Sequence, residues 1–359
     1  MLNDSTKKHM AANAYAMTSK EALIRYLNQC LFRPTKMTLV KAIENKQLTT
    51  WPGITAAAVQ NRLPRSSPAT NNRHMKRQLK WIRSTTKIPE SRTQKERIKE
   101  VLEKIETERD INQPKENEKN NQIFCYNRIL NGKGGTIYVN FTRKLYIWSM
   151  DGMVAIFIIY NWTTNAILAT PIKNMIEVKI VICHKTNIEH LTKIGFNPVL
   201  NIIKNVDSKA MQAYLEAKNV GIQLVEPHNH RVNAVEREIQ TLKNHLIAGM
   251  STCDAIFPSL LWNKIIPQAQ DSLNMLRTSW VHPQLSDYSI LEGIHDFKKH
   301  QWVTPGARAT IFNLPETRTS FGPRAINAWY IGPAPQHYRC YNLFLPLTGW
   351  IPTSEQATF

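Results

Sequence analysis

Apolar positions recur along this chain in two different rhythms. Between residues 18 and 85 they come at three- and four-residue spacing, in the short pieces "SKEALIRYLNQCL", "TKMTLVKAIENKQL" and "ITAAAVQNRL", punctuated by Pro34, "WPG" at 51–53 and Pro64. That spacing predicts a small helical unit packed around Leu23, Tyr26, Leu27, Leu39, Ile43, Trp51 and Val59. From 134 to 226 the rhythm changes to short runs rich in β-branched and aromatic residues: "GTIYVNF", "GMVAIFIIY", "AILATPI", "PVLNIIKNV" and "GIQLVEP". Three runs in close succession, then alternation with helical patterns at about 173–195 and 208–219, predict a mixed α/β sheet.

Helical spacing returns at 233–248, where Val235, Ile239, Leu242 and Leu246 form an apolar stripe and Glu236, Gln240 and Lys243 an adjacent polar one. It continues in "PSLLWNKIIPQAQDSLNMLRTSW", where Leu260, Leu261, Ile265, Leu273 and Leu276 are expected on one buried side. Pro and Gly punctuation from Pro305 to Gly349, with aromatic runs such as "AINAWYIG" and "YRCYNLFLP", predicts a small β-barrel or sandwich-like appendage. The expected organisation is therefore a helical, basic region at 18–88, a polar linker at 89–121, an α/β core at 134–280 and a small β-rich unit at 300–350. Within the linker, "RIKEVLEKIETE" is able to form a solvent-exposed helix.

Charge narrows the function. Lys and Arg number 46 against 27 Asp and Glu, for a net charge of +19, so a polyanion is the natural partner and nucleic acid the first candidate. A basic stretch, "RHMKRQLKWIRSTTK", gathers Arg73, Lys76, Arg77, Lys80, Arg83 and Lys87 around Trp81, which suits phosphate binding as well as it suits a solvated face. Five cysteines, widely spaced and odd in number, point to a reducing compartment without a disulfide framework. The longest apolar run, Gly152 to Trp162, falls well short of the ~20 residues a spanning helix needs and reads as a buried strand. With no leader visible in "MLNDSTKKHM", the expectation is a nuclear or cytoplasmic protein, neither secreted nor membrane-bound.

Several short motifs carry little. "NGKGG" at 131–135 lacks the GK[ST] of a phosphate loop, and "HNH" at 228–230 is a three-letter match placing His228 and His230 in a strand-to-helix loop. His9, Cys30 and His74 show no paired zinc spacing. Glu236 is more informative: it opens a helix, where a carboxylate serves either the helix dipole or a metal site completed by acids from neighbouring strand ends.

The runs "QLVEPHNHRVNAVEREIQTLKNHLIAGM", "FPSLLWNKIIPQAQDSLNMLRTSW", "LEGIHDF" and "WYIGPAPQHYRCY" resemble the integrase of Ty1/copia-type LTR retrotransposons. The resemblance extends from "YLNQCLFRPTKMTLVKAIENKQLTTWPG" to Cys340. It implies a ribonuclease H-like core, a five-stranded mixed sheet flanked by helices, with Asp on the first strand, Asp just after the fourth and Glu on the helix after the fifth. Glu236 in "NAVER" matches the last acid. Where the family's Tyr-x-Asp-x-Thr-Gly pattern is expected, the chain reads "YVNFTR", so Asn140 replaces the first acid and Arg143 the glycine. In "KNVDSKA", Lys204 and Val206 stand where the Asp-Asn-Glu stretch is expected, and Asp207 is the nearest carboxylate.

The resemblance thus implies an integrase-like DNA-binding chain whose ancestry is phosphodiester strand transfer and whose acidic site is impaired. A misplaced cation at ~4 Å costs several kcal/mol against metal binding at an effective dielectric near ~20. If active, the chain would use Mg²⁺ or Mn²⁺ held by Glu236 and Asp207. Arg237, Gln240, Lys243, Lys76, Arg77, Lys80 and Arg83 are the expected nucleic-acid contacts, the partner being duplex DNA bound largely without sequence preference, with self-association left open. Two alternatives stand beside this reading: an active polynucleotidyl transferase built on Asp207 and Glu236, and a non-enzymatic basic module that binds RNA or protein.

Overall fold

The computed structural model describes residues 14–63, 135–204, 209–225, 234–313, 315–355 and 357–359. The most completely buried strand of its first sheet is β2 (Ala155–Asn161), seven consecutive residues that are all buried. Their side chains alternate between two cores: Ala155, Phe157 and Ile159 enter one, and Ile156, Ile158 and Tyr160 the other. A strand apolar on both faces must be covered on both.

β1 (Thr136–Phe141) runs antiparallel to β2, and β3 (Ile167–Ile172) is antiparallel to β2 on its other side. β4 (Leu200–Lys204) and β5 (Gly221–Val225) extend the sheet beyond β1 in parallel, giving the order β3-β2-β1-β4-β5. With α1 (Lys20–Cys30), α2 (Lys36–Glu44) and α3 (Ala56–Arg62) preceding it, the sheet is covered on one face by α4 (Glu177–Lys193) and α5 (Lys209–Ala217). The opposite face is covered by α6 (Val235–Met250) and α7 (Ile266–Met275). This is a ribonuclease H-like mixed sheet flanked by helices, as the sequence led us to expect.

Helices α1 to α3 begin where Ser19, Thr35 and Thr55 accept the backbone N–H of Ala22, Thr38 and Ala58. Their core is closed by Met275 and Leu276 at the end of α7 and by Phe297 and Trp302, so the N-terminal helices do not form a separate unit. After α1 the chain turns through Phe32 and Arg33, both with positive φ, and seats the Phe32 ring against α6. Phe32 stacks on His245 at 5.2 Å between ring centroids, and Gly249 gives it room: a Cβ there would stand 1.9 Å from Phe32 Cδ1.

Three expectations need correction. The buried face of α6 is Val235, Glu238, Leu242, His245, Ala248 and Gly249, with Ile239 and Leu246 only half-buried. The stripe is rotated because two polar side chains find partners inside. His245 Nε2 meets Ser272 Oγ at 2.7 Å, and Glu238 accepts a hydrogen bond from Arg277. Second, the chain after α6 is not one helix: residues Ser259–Lys264 form a 3₁₀ turn that leaves Leu260 44% exposed while Leu261 is buried.

The third correction concerns the β-rich unit, which is not an appendage. β6 (Arg308–Phe312), β7 (Ala325–Pro333), β8 (Tyr341–Phe344), β9 (Thr353–Ser354) and β10 (Ala357–Thr358) form an antiparallel sheet in the order β10-β6-β7-β8-β9. Ala328, Tyr330, Tyr341 and Leu343 point into its own core. The alternate residues Trp329, Ile331 and Phe344 pack with Phe32, Leu261, Ile265 and Ala269.

Arg277, just after α7, ties α6 to the sheet. Its guanidinium donates to Glu238 on α6 and to the Asn165 side chain and carbonyl in the β2–β3 turn, and it lies 5.6 Å from the Tyr160 ring centroid. Asp287, which begins the short helix α8 (Asp287–Leu291), is fully buried 3.7 Å from Arg277 Nε. Glu238 holds the direct hydrogen bond, so Asp287 keeps only charge attraction, and burial outweighs it: its carboxyl is pushed up to about 8.

Two expected outcomes follow from this packing. Gly249→Ala, which gains roughly 1 kcal/mol in an open helix, here overpacks Phe32 and lowers stability by about 1–3 kcal/mol; a denaturation midpoint above wild type would refute the contact. Asp287 binds its proton more tightly folded than unfolded, so its stabilising share is complete at low pH and is lost as pH rises from the ordinary carboxylate range through about 8. Melting curves of Asp287→Asn should therefore depend less on pH than wild type between about pH 5 and about pH 8.5. Parallel curves for the two proteins would contradict this.

Candidate functional site

Because β1, β4 and β5 are mutually parallel, their C-terminal ends share one edge of the sheet. Asn140, Lys204 and Val225 are the last or near-last residues of those strands. Asn140 pairs with Ile158 across β2, two residues beyond Tyr138, and both Ile158 and Tyr138 belong to the core under α6. Strand periodicity thus places Asn140 on the α6 face of the sheet. The β1–β4 register pairs Val139 with Ile203, which brings Lys204 level with Asn140 one step on. Asn140 is half-buried, and its Oδ1 accepts the backbone N–H of Phe141 at 2.8 Å.

α6 follows β5, and its first turn is held through Glu238 and Arg277 to Asn165 in the β2–β3 turn, which adjoins the N-terminal end of β1, the end away from Asn140. Its cap residue Ala234 offers no side-chain hydrogen bond, and Glu236 and Glu238 supply negative charge to the first turn, where the helix dipole favours it. Val235 is fully buried in the α6 core, while Glu236 is half-buried beside it. Further along, Arg237 and Gln240 are exposed, and Gln240 Nε2 donates to Asn244 Oδ1 at 2.8 Å. Lys243 is half-buried; burial and then the nearby charge of Arg143 hold its ammonium below the usual lysine range. Arg143 comes three residues after Asn140, so Lys243, in the middle of α6, and Arg143 form a pair of cations near the end of β1 that carries the amide.

Of the other sequence candidates, Asp207, His228, His230, Lys76, Arg77, Lys80 and Arg83 lie outside the described residues. Among the described residues no group of three His, Cys, Asp or Glu side chains could hold a metal ion. Among the described residues, an Asn amide and one Glu carboxylate, with a lysine level with the amide in the strand register, do not make the oxygen-rich anionic set that a magnesium pair requires. Cys30 is a packing residue: it is fully buried, its thiol is pushed up to about 12 by burial, and it donates to the Trp302 carbonyl at 3.4 Å. A cavity of about 720 Å³ is lined instead by residues such as Asp271, Glu292, His295 and Trp302, none of them at this edge.

The loop from 142 to 153, between β1 and β2, was not singled out by the sequence. Its backbone is pinned by Leu145 N–H to Val154 O (2.8 Å), Ser149 N–H to Met153 O (3.0 Å) and Met150 N–H to Leu260 O (2.9 Å). Trp262 Nε1 donates to Ile147 O at 3.1 Å, and Asp151 receives Lys264 Nζ at 2.5 Å and Asn263 Nδ2 at 2.7 Å. The Lys264 hydrogen bond holds the Asp151 carboxyl below its ordinary range. Basic and aromatic residues alternating in "TRKLYIW" are the signal that could have marked it.

No family model matches the sequence, and no curated protein matches it either. Among solved structures, similarity is found to the simian T-cell lymphotropic virus intasome in complex with PP2A regulatory subunit B56 gamma. It has 15% identity and a TM-score of 0.34, covering 60% of this chain and 78% of that one. The HTLV-2 integrase catalytic core domain in complex with magnesium, in its trimeric form, is 14% identical at a TM-score of 0.33, covering 44% and 95%. The BIV integrase catalytic core domain is 16% identical at a TM-score of 0.33, covering 44% and 93%.

Proposed function

We propose that this chain is an integrase-like nucleic-acid-binding protein of copia-type retroelement ancestry whose acidic site no longer supports metal-dependent strand transfer. The observation that carries the reading is Asn140: it stands on β1, the central strand of a ribonuclease H-like sheet, on the face covered by the helix that carries Glu236, and it brings an amide where this chemistry needs a carboxylate. An amide oxygen can still ligate a cation but contributes no charge to offset the loss of water from Mg²⁺. Lys204, level with Asn140, makes the same edge less hospitable to a divalent ion.

What remains suits a polyanion. Arg143 and Lys144 follow Asn140 along the chain, Lys243 stands near Arg143, Arg237 is exposed in the first turn of α6, and the chain carries +19 overall. Phosphate contacts of this kind position a nucleic acid without reading its sequence. The chain acts, on this reading, inside the cell and on DNA; among the described residues no helix is long and apolar enough to cross a membrane.

Strand-joining assays with Mg²⁺ and with Mn²⁺ test the catalytic half. The unmodified protein is expected to join no strands, and Asn140→Asp combined with Lys204→Asp is expected to raise Mn²⁺ affinity. Turnover by the unmodified chain that disappears in Glu236→Gln would overturn the impaired site and favour Asp207 as the second acid. The binding half is tested by titrating duplex DNA at several ionic strengths: affinity should fall at least about tenfold between roughly 50 mM and 200 mM salt. An affinity indifferent to salt, or a preference for RNA over DNA that survives heparin competition, would refute it.

A further inference from the structure

The β1–β2 loop displays apolar side chains that a packed protein normally hides. Tyr146 is 106% exposed and Trp148 63% exposed, flanked by the exposed Ile147 and Met150. Slackness does not account for this display, because the loop backbone is held to β2, to the 3₁₀ turn and to the Asp151–Lys264 ion pair. The loop also packs inward through Leu145 and Met153, which join the α6 core. At its root stand Arg143 and Lys144, with Lys243 of α6 alongside Arg143. None of these three cations is ion-paired with a carboxylate among the described residues.

We propose that this loop is a docking site for an unpaired nucleic-acid strand, whose bases stack on Tyr146 and Trp148 while Arg143, Lys144 and Lys243 take the adjoining phosphates. The inference rests on the nucleic-acid-binding reading above and adds the strandedness of the ligand. An aromatic ring offers its face to any base, but bases inside a duplex are already stacked on one another and cannot use it. Cations alone would bind duplex and single strand alike. It is the pairing of free rings with unpaired cations on a rigid loop that selects the open strand. The loop leaves β1 one residue after Asn140, so a strand held there would lie beside the strand end that carries Asn140.

The full-length chain is titrated with a fluorescein-labelled oligothymidine of about 20 nucleotides and with a duplex of equal length, each by anisotropy. Tyr146→Ala with Trp148→Ala should weaken single-strand binding by roughly tenfold or more, since each base loses its stacking partner, and should leave duplex affinity within about twofold of wild type. Trp148→Phe keeps a ring and should retain most of the single-strand affinity. The thermal midpoint of each variant should match wild type, because the rings are exposed. If duplex binding persists while the double substitution leaves single-strand binding unchanged, or weakens both equally, the loop is not the site and the function proposed above still stands. If the wild-type chain binds neither nucleic acid, both fail. If the double substitution instead abolishes binding to anionic phospholipid vesicles and leaves the oligothymidine unaffected, the loop faces a lipid surface and the inference is wrong.

Discussion

Two-sided burial of β2 is the constraint on which the rest of the molecule depends. A strand with no polar face has to be sandwiched, so helices must return across both sides of the sheet, and the chain between β3 and α7 does so. That requirement makes the connections to β4 and β5 crossovers, and crossovers make those strands parallel to β1. Parallel strands end at a common edge. The meeting of Asn140 and Lys204 at one edge is therefore a result of apolar patterning and owes nothing to the identity of the two residues.

This separation makes the scaffold indifferent to the chemistry of the residues at its edge. Register along β1 and β2 is fixed by alternation between two cores, and a one-residue slip would turn Ile137 and Val139 toward the wrong one. Asn140 sits at the end of that register, where an amide and a carboxylate occupy similar space. Arg277 holds α6 through Glu238, two residues from Glu236, and that clamp likewise draws nothing from a metal. The sheet edge would be assembled in the same way by a chain with three acids or with one.

The fold was legible in the sequence because its signals are local. The five strand runs and the helices that cover them follow from spacing that any ten-residue window contains. What the sequence hid depends on partners far along the chain. Nothing local marks Glu238 and His245 as buried, because Arg277 and Ser272, which satisfy them, lie far along the chain, and Leu260 read as buried because nothing local marks a 3₁₀ turn. In the candidate site, Glu236 stood out through its place at a helix start. The neighbourhood of Arg143 and Lys243 did not, since one hundred positions of chain separate two residues that the α6 packing brings together.

The β-rich unit carries a consequence of its own. β9 and β10 are neighbours in sequence, with only residues 355 and 356 between them, yet they stand at opposite ends of the strand order. A chain can step that far only if the sheet curls until its two margins meet. Phe359 then lies against Tyr330 and Tyr341, at 5.9 and 5.2 Å between ring centroids, and fills the join. The margins of that curl are β9 and β10, two residues each, and edges this short offer little backbone on which a foreign strand could add. Recognition on this side of the protein would therefore rest on side chains more than on backbone pairing.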